Sequence, residues 1–222
     1  MPERRLIWDM PTRVFHWSLA LSFLGAYLSG ESERWALVHL TCGYTFLGLI
    51  IFRLIWGVAG TRYARFTEFV PSPSSVLKYL AGLVKRRPTH YIGHNPLGAL
   101  GILAILLLGL ICAVSGWLIN AEVGPFWLEP VHLISADILV GLVLAHIAGV
   151  LITSYLHREN LIKAMLDGKK QAEAAQAIPQ KRPLIAFLLL ICMVAFWLWS
   201  FSATLFSSTV ETSVVISDEK TK

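Results

Sequence analysis

Five stretches of this chain are apolar for about as long as a helix needs to cross a lipid bilayer, and no other feature constrains the fold as strongly. A helix rises 1.5 Å per residue, so about 20 apolar residues span the hydrocarbon core. The stretches cover residues 14–29, 37–59, 97–119, 131–156 and 184–206, the first of them barely long enough. Only 15% of the residues are charged. The sequence therefore predicts an all-α integral membrane protein, and excludes a disordered, collagen-like or disulfide-stapled chain.

The cysteines do not predict redox or covalent cofactor chemistry. Cys42, Cys112 and Cys192 all lie inside apolar stretches, and the chain has neither a C-x-x-C nor a C-x-x-C-H motif. A thioredoxin-type pair and a covalently attached c-type haem are therefore not expected.

The basic residues predict the orientation. Fifteen of the 19 lysines and arginines lie in the N-terminal segment or in the loops after the second and fourth stretches. Arg53 lies within a stretch, and only Arg34, Lys220 and Lys222 fall on the other side. The positive-inside rule places the N-terminus in the cytoplasm and the C-terminus outside. The net charge of +5 is thus a topology signal, aided by anionic membrane lipid, and does not indicate nucleic acid binding.

The segments outside the stretches predict further organisation. Residues 1–168, which contain the first four stretches, are predicted to form one compact unit. Within it, residues 74–87 show apolar positions at helical spacing beside lysine and arginine, which predicts a helix lying in the cytoplasmic interface; a solvated connector is the alternative. Residues 169–183 are charged and alanine-rich and predict a cytoplasmic linker to the fifth helix, 184–206. Residues 207–222, rich in serine and threonine, predict a mobile outer tail.

Four histidines lie in the stretches at depths that form two pairs. His132 and His146 are fourteen residues apart, which is close to whole helical turns and about 21 Å along the axis. His16 begins the first, antiparallel stretch on the cytoplasmic side, so it can approach His146. His39 begins the second stretch on the outer side, so it can approach His132. Ionisable groups at such depths indicate function, although a single histidine would also suit a helix–helix hydrogen bond.

Paired imidazoles in an apolar bundle suit haem iron, which takes two axial nitrogens while the macrocycle fills the space between helices. Gly25, Gly43 and Gly48 would let a flat ring approach the backbone. Arg13 and Arg53 are candidates to pair with haem propionates. A metal permeation path would need carboxylates, and Asp137 is the only acid clearly inside a stretch.

Three other histidines leave alternatives open. His157 shares a helix face with His146 and would be the ligand if that helix sat differently, although its neighbour Arg158 favours an interfacial position. His90 and His94, spaced i, i+4, suit a metal pair, a loop anchor or a quinone-pocket donor.

Several motifs together resemble the bacterial cytochrome b561 group, which includes the b-type cytochrome subunits of nickel-iron hydrogenases. They are Trp8-Asp9, Pro11-Thr12-Arg13-Val14-Phe15-His16-Trp17, His39, Gly43-Tyr44, Arg53-Leu54-Ile55-Trp56-Gly57, Arg62-Tyr63-Ala64-Arg65-Phe66, Tyr91-Ile92-Gly93-His94-Asn95-Pro96-Leu97-Gly98, His132, His146 and His157-Arg158-Glu159-Asn160-Leu161. The resemblance covers about residues 6–170. It implies a four-helix transmembrane bundle with two non-covalent b haems, whose axial ligands would be the same four paired histidines. The fifth helix departs from the four-helix pattern.

The leading functional hypothesis is a di-haem b-type cytochrome of the bacterial inner membrane. It would carry electrons between a membrane quinone and a periplasmic redox partner, such as a c-type cytochrome, a hydrogenase or another dehydrogenase. Whether the chain is itself an enzyme subunit stays open, and no catalytic residue is assigned. Nicotinamide reduction is not expected, because no G-x-G-x-x-G motif is present.

Two alternative functions belong to other classes of protein, a stand-alone oxidoreductase and a transporter. Some relatives oxidise superoxide and reduce quinone, but an anionic substrate favours a basic funnel, and here the outer loops carry four glutamates against Arg34. A non-redox, histidine-lined transporter would need a polar pathway, and the stretches contain little beyond histidine to build one.

Overall fold

The computed structural model describes residues 3–85 and 89–219, with side chains as far as residue 203. Helices dominate this part of the chain, and two short strands complete it. The helices are α1 (Met10–Ser29), α2 (Ala36–Ala59), α3 (Phe66–Phe69), α4 (Pro73–Val84), α5 (Pro96–Asn120), α6 (Leu128–His157), α7 (Leu161–Asp167) and α8 (Pro183–Glu219). The strands are β1 (Glu3–Leu6) and β2 (Lys169–Ala172).

Four helical segments in the described residues are long and apolar enough to cross a membrane, which makes the chain a multi-pass membrane protein. They are Glu33–Ala59, Pro96–Asn120, Leu128–His157 and Pro183–Ala203. The predicted first span forms α1, a helix of 20 residues, but it is not among the four. Its N-terminal half carries Arg13 and His16, so its composition is more polar than that of the others.

The long helices pack as two pairs. α1 lies against α2, α5 lies against α6, and α2 joins the pairs by packing on α5. α8 packs on α1 and α2. Apolar side chains fill the centre of the bundle: Phe15, Phe46, Leu49, Ile50, Leu106 and Leu139. Within the described helices, the main neighbour of α6 is α5, so side chains rather than close backbone packing bridge α6 to α1 and α2.

A two-stranded antiparallel sheet closes one end of the bundle, which we call the sheet end. β1 pairs with β2, with Glu3 opposite Ala172. The backbone N–H groups of Ile7 and Trp8 then donate to the carbonyl of Gly168, at 2.8 and 3.0 Å. α1, α5 and α8 begin at this end, whereas α2 and α6 finish here.

The sheet departs from the all-α prediction, and β2 occupies part of the segment predicted as a linker. The sequence signal is weak because the strand is only four residues long and is Lys-Lys-Gln-Ala. Its second lysine, Lys170, is buried, with its Nζ 3.2 Å from a carboxylate oxygen of Glu159. The ion pair between Lys170 and Glu159 therefore holds this strand in place. It forms only in the folded chain, so the local sequence of the strand does not predict it.

Two further segments differ in extent from the sequence prediction. α4 (Pro73–Val84) lies within the stretch predicted as an interfacial helix, whose residues 86–87 fall outside the described part. α8 continues to Glu219, beyond the predicted start of a mobile tail at residue 207. No glycine or proline follows Pro183, so nothing in the sequence stops the helix. Residues 220–222 lie outside the described part.

Candidate metal centre

Two pairs of histidines face each other across the gap between α6 and the α1–α2 pair. The ring centres of His16 and His146 are 6.5 Å apart, and those of His39 and His132 are 6.1 Å apart. We call them the sheet-end pair and the far-end pair. These are the pairings that helical spacing predicts.

The spacing within each pair suits two axial ligands of one metal ion. An imidazole nitrogen binds a transition metal at about 2 Å and lies about 1 Å from its ring centre, so two rings on opposite sides of an ion have centres about 6 Å apart. Haem iron takes this arrangement, and the gap beside α6 runs between helices in an apolar bundle. The residues present therefore fit haem at both levels.

Backbone carbonyls fix the rings of the far-end pair. Nδ1 of His39 lies 2.8 Å from the carbonyl oxygen of Ala26, and Nδ1 of His132 lies 2.8 Å from that of Cys112. A carbonyl oxygen only accepts hydrogen bonds, so each Nδ1 must carry the hydrogen. Each Nε2 then keeps its lone pair, the form that binds a metal, and its orientation is held by the outer hydrogen bond.

The sheet-end pair shows a different environment. Nδ1 of His16 is buried and has no hydrogen-bond partner among the described residues. The His16 ring packs edge-on against Trp17, with centres 5.1 Å apart. A buried ring nitrogen without a protein partner is uncommon in native structures and indicates a partner other than polypeptide.

The glycines predicted to admit a flat ring behave in two ways. At Gly43 and Gly48 an added Cβ would meet nothing within 4 Å, so no protein atom fills the space beside either backbone. At Gly25 an added Cβ would lie 2.7 Å from Sγ of Cys42, so this glycine permits close packing of α1 on α2. Sequence reasoning missed Gly116, where an added Cβ would lie 2.7 Å from Cε1 of His132.

The two arginines predicted to pair with propionates are placed differently. Arg13 donates to the carbonyl oxygens of Leu166 and Asp9, so it fastens α1 to the end of α7. Arg53 is only 3% exposed, and one of its terminal nitrogens is buried without a partner among the described residues. A role toward a haem propionate stays a prediction for both.

The remaining histidines lie beside different partners. His90 lies 5.1 Å from His157, ring centre to ring centre, and 3.4 Å from a carboxylate oxygen of Glu159. His94 packs on Trp8, at 4.7 Å between ring centres, so His90 and His94 have different neighbours, and a metal pair between them stays a prediction. Nowhere in the described residues do three or more histidine, cysteine, aspartate or glutamate side chains come together in a metal-binding group.

Burial dominates the electrostatics of His94. Burial and the nearby positive charge of Arg53 lower the pKa of His94 to about 3, from an ordinary value of 6.5. The ring is therefore neutral at physiological pH. Its Nδ1 is a further buried atom that lacks a hydrogen-bond partner among the described residues.

Comparison with known proteins gives one family. The sequence profile described as prokaryotic cytochrome b561 matches residues 7–168 of the chain. The match confirms the resemblance read from the motifs, and its bounds are close to those of the predicted compact unit. No solved structure matches the chain.

Curated relatives with this type of sequence are named as hydrogenase subunits. A probable Ni/Fe-hydrogenase B-type cytochrome subunit of Azotobacter vinelandii is 29% identical over an alignment of 144 residues, covering 52% of this chain and 59% of the relative. One from Escherichia coli (strain K12), a probable Ni/Fe-hydrogenase 1 B-type cytochrome subunit, is 24% identical and covers 52% and 60%. One from Cupriavidus necator is 24% identical and covers 73% and 85%. The chain thus spans about three fifths of the length of the first of these relatives.

Proposed function

The chain belongs to the prokaryotic cytochrome b561 family, and from that premise we propose that it carries electrons across the membrane on two b-type haems. The observation that carries the proposal is the pair of facing histidine sites. Each site takes one histidine from α6. These two histidines, His132 and His146, are fourteen residues apart, so the sites lie about 21 Å apart along that helix. One site at each depth is what electron transfer between the two faces of a bilayer requires.

Each group of protein residues has a defined part in this proposal. His16 with His146, and His39 with His132, hold the two haem irons. The carbonyls of Ala26 and Cys112 keep the far-end rings in the form that binds iron. The apolar helices exclude water and insulate the sites. When bound, haem supplies reversible one-electron oxidation and reduction.

The partners are proposed from the relatives and from charge. The relatives' names indicate a nickel-iron hydrogenase as the redox protein. A c-type cytochrome or another dehydrogenase on the same side of the membrane is the alternative partner. The positive-inside rule puts that face, the periplasm, at the far end, near His39 and His132. Membrane quinone is the proposed exchangeable partner within the bilayer.

A vesicle assay tests the proposal. The purified chain is reconstituted with ferricyanide trapped inside, and impermeant dithionite is added outside. We expect wild-type vesicles to bleach ferricyanide at least about tenfold faster than protein-free vesicles. His132→Leu should lose this activity because one haem loses a ligand, while His90→Leu, a histidine outside both pairs, should keep it. Equal rates in wild type and His132→Leu would refute electron transfer through the two sites.

A further inference from the structure

Arg53 is a buried cation with no direct ion-pair partner among the described residues. Its guanidinium lies over Phe66 and Phe69, with Cζ 4.9 and 5.5 Å from their ring centres. One terminal nitrogen has no hydrogen-bond partner among the described residues. A buried charge is costly unless it is paired and hydrogen-bonded, so this position calls for an anionic partner.

The nearest buried acid does not fill that role. Asp9 is 1% exposed, and its two carboxylate oxygens accept hydrogen bonds from the backbone N–H of Thr12, from Nε1 of Trp56 and from the hydroxyl of Thr61. No ion pair between Asp9 and Arg53 occurs within 4 Å. The acid therefore stabilises the start of α1 and offsets the charge of Arg53 only through space. The free nitrogen of Arg53 has no acceptor within the described part of the chain.

His94 offers a second polar atom at the same place. Its ring lies 4.5 Å from that of Phe69, the side chain that also covers Arg53. Its Nδ1 is buried and, like the free nitrogen of Arg53, has no partner in the described part of the chain. The guanidinium of Arg53 and the ring of His94, each with one unpaired nitrogen, thus lie against the same aromatic ring.

This place is level with the sheet-end pair. Arg53 is six residues before the end of α2 and His16 is six residues after the start of α1, so both lie about 9 Å into the bundle from the sheet end. Burial lowers the pKa of His94 most, and positive charge on Arg53, Lys170, His146 or His16 lowers it further, so these groups lie near His94. The two unpaired nitrogens and the sheet-end histidines therefore share one region.

We propose that Arg53 and His94 together bind one carboxylate, a propionate of the haem held by His16 and His146. This inference rests on the proposed function and adds His94 to the residues that position that haem. A carboxylate matches the charge of Arg53 and accepts two hydrogen bonds, one from each residue. A neutral quinone carbonyl would satisfy the donors but leave the buried charge unpaired, so the charge favours the carboxylate.

Four substitutions in the full-length protein test the proposal. His94→Leu removes the donor and keeps the bulk of the side chain, whereas His94→Asn keeps an N–H near the position of Nδ1. Arg53→Met removes the charge, and Arg53→Lys keeps it. His90→Leu, in the same loop, is the matched control. The readouts are haem per protein, the midpoint potential of each haem, and the carboxylate bands of the oxidised-minus-reduced infrared spectrum.

We expect His94→Leu and Arg53→Met each to lower the midpoint potential of one haem and to shift a carboxylate band. Losing a donor or a positive charge beside a propionate disfavours the added electron. His94→Asn, Arg53→Lys and His90→Leu should stay close to wild type, and the double variant should shift less than the sum of the single variants because both residues hold one group.

Two results would overturn the proposal. Unchanged potentials and infrared bands, with slower haem reduction by quinol, would assign the two nitrogens to a quinone; unchanged values throughout would make both residues structural. The proposed function fails separately, if the wild type holds fewer than two haems. With one haem that depends on His16, the same shifts still decide the role of Arg53 and His94. With no haem, or with one haem that His16→Leu retains, both proposals fall.

Discussion

At the scale of single residues, the far-end site depends on backbone atoms and a missing side chain as much as on its histidines. The carbonyl of Cys112 fixes the His132 ring, and Gly116, one turn further along α5, leaves room for it. Neither feature changes the apolar pattern of α5.

Gly116→Ala should disturb the far-end site alone. The added Cβ would lie 2.7 Å from Cε1 of His132, so the ring must move away from the position that its hydrogen bond to Cys112 sets. A displaced axial ligand binds iron less well. We expect this variant to lose about half of its haem, measured by pyridine haemochrome.

Gly101→Ala is the matched control for Gly116→Ala, because it lies on the same helix and its added Cβ meets nothing within 4 Å. It should keep the wild-type haem content. Full haem retention with unchanged potentials in Gly116→Ala would show that His132 does not bind haem in the observed position.

The histidines were predictable from the sequence, whereas their hydrogen-bond partners were not. His16, His39, His132 and His146 stand out because ionisable side chains are rare in apolar stretches. The spacing of fourteen residues places His132 and His146 on one face of α6. The acceptors are main-chain carbonyls of Ala26 and Cys112, and every residue has a carbonyl. Only the packing of α1 on α2 and of α5 on α6 selects these two.

At the scale of secondary-structure elements, α8 is fastened to α2 by polar contacts in an otherwise apolar interface. Nε1 of Trp197 donates to the hydroxyl of Thr45 at 2.9 Å, and the hydroxyl oxygens of Thr41 and Ser200 are 2.8 Å apart. Hydrogen bonds between helices stabilise membrane proteins modestly. The histidine pairs lie on α1, α2 and α6, so α8 supports the bundle without supplying a histidine to either pair.

Trp197→Phe should weaken the bundle without altering its haem content. The substitution removes one interhelical hydrogen bond and keeps the aromatic bulk, so we expect a loss of about 0.6–1.7 kcal/mol in the free energy of unfolding. Unfolding in mixed micelles, followed by loss of the haem absorption band, measures it.

The comparison variant is Trp199→Phe, at a tryptophan that is 66% exposed and faces away from the bundle. Its stability should match the wild type. If Trp197→Phe were equally neutral, the hydrogen bond to Thr45 would contribute nothing to the docking of α8.

The elements themselves were largely predictable because hydropathy decides which segments can cross a membrane. The predicted stretches 37–59 and 97–119 match α2 (Ala36–Ala59) and α5 (Pro96–Asn120) to within a residue at each end. Capping residues mark some helix ends in the sequence. Asn95, for example, caps the start of α5 because its side-chain oxygen accepts a hydrogen bond from the backbone N–H of Gly98. β1 and β2 were missed because four-residue strands carry almost no local signal.

At the scale of the whole molecule, the sheet end ties the start of the chain to the segment between α7 and α8. Gly168 makes the contacts that join these two segments. Its carbonyl accepts hydrogen bonds from Ile7 and Trp8, its φ is +80°, and an added Cβ would lie 2.5 Å from the carbonyl oxygen of Trp8. Only glycine satisfies both the left-handed conformation and the close approach.

Gly168→Ala should open this end of the molecule. The left-handed conformation alone costs about 1–2 kcal/mol for a residue with a Cβ, and the clash with main chain adds to it. We expect a lower melting temperature and faster hydrogen exchange at Ile7 and Trp8. The control is Gly149→Ala, whose Cβ meets open space; equal melting temperatures would mean that the sheet end does not stabilise the fold.

The haem content of the purified chain, together with the ligands of each haem, tests most directly whether the two histidine pairs hold two haems. Oxidised and dithionite-reduced spectra, pyridine haemochrome per protein, and low-temperature electron paramagnetic resonance are recorded on one preparation in mild detergent. We expect two b haems per chain, both low-spin with two histidine ligands. A single haem, or a haem-replete preparation whose spectra exclude bis-histidine ligation, would contradict this expectation.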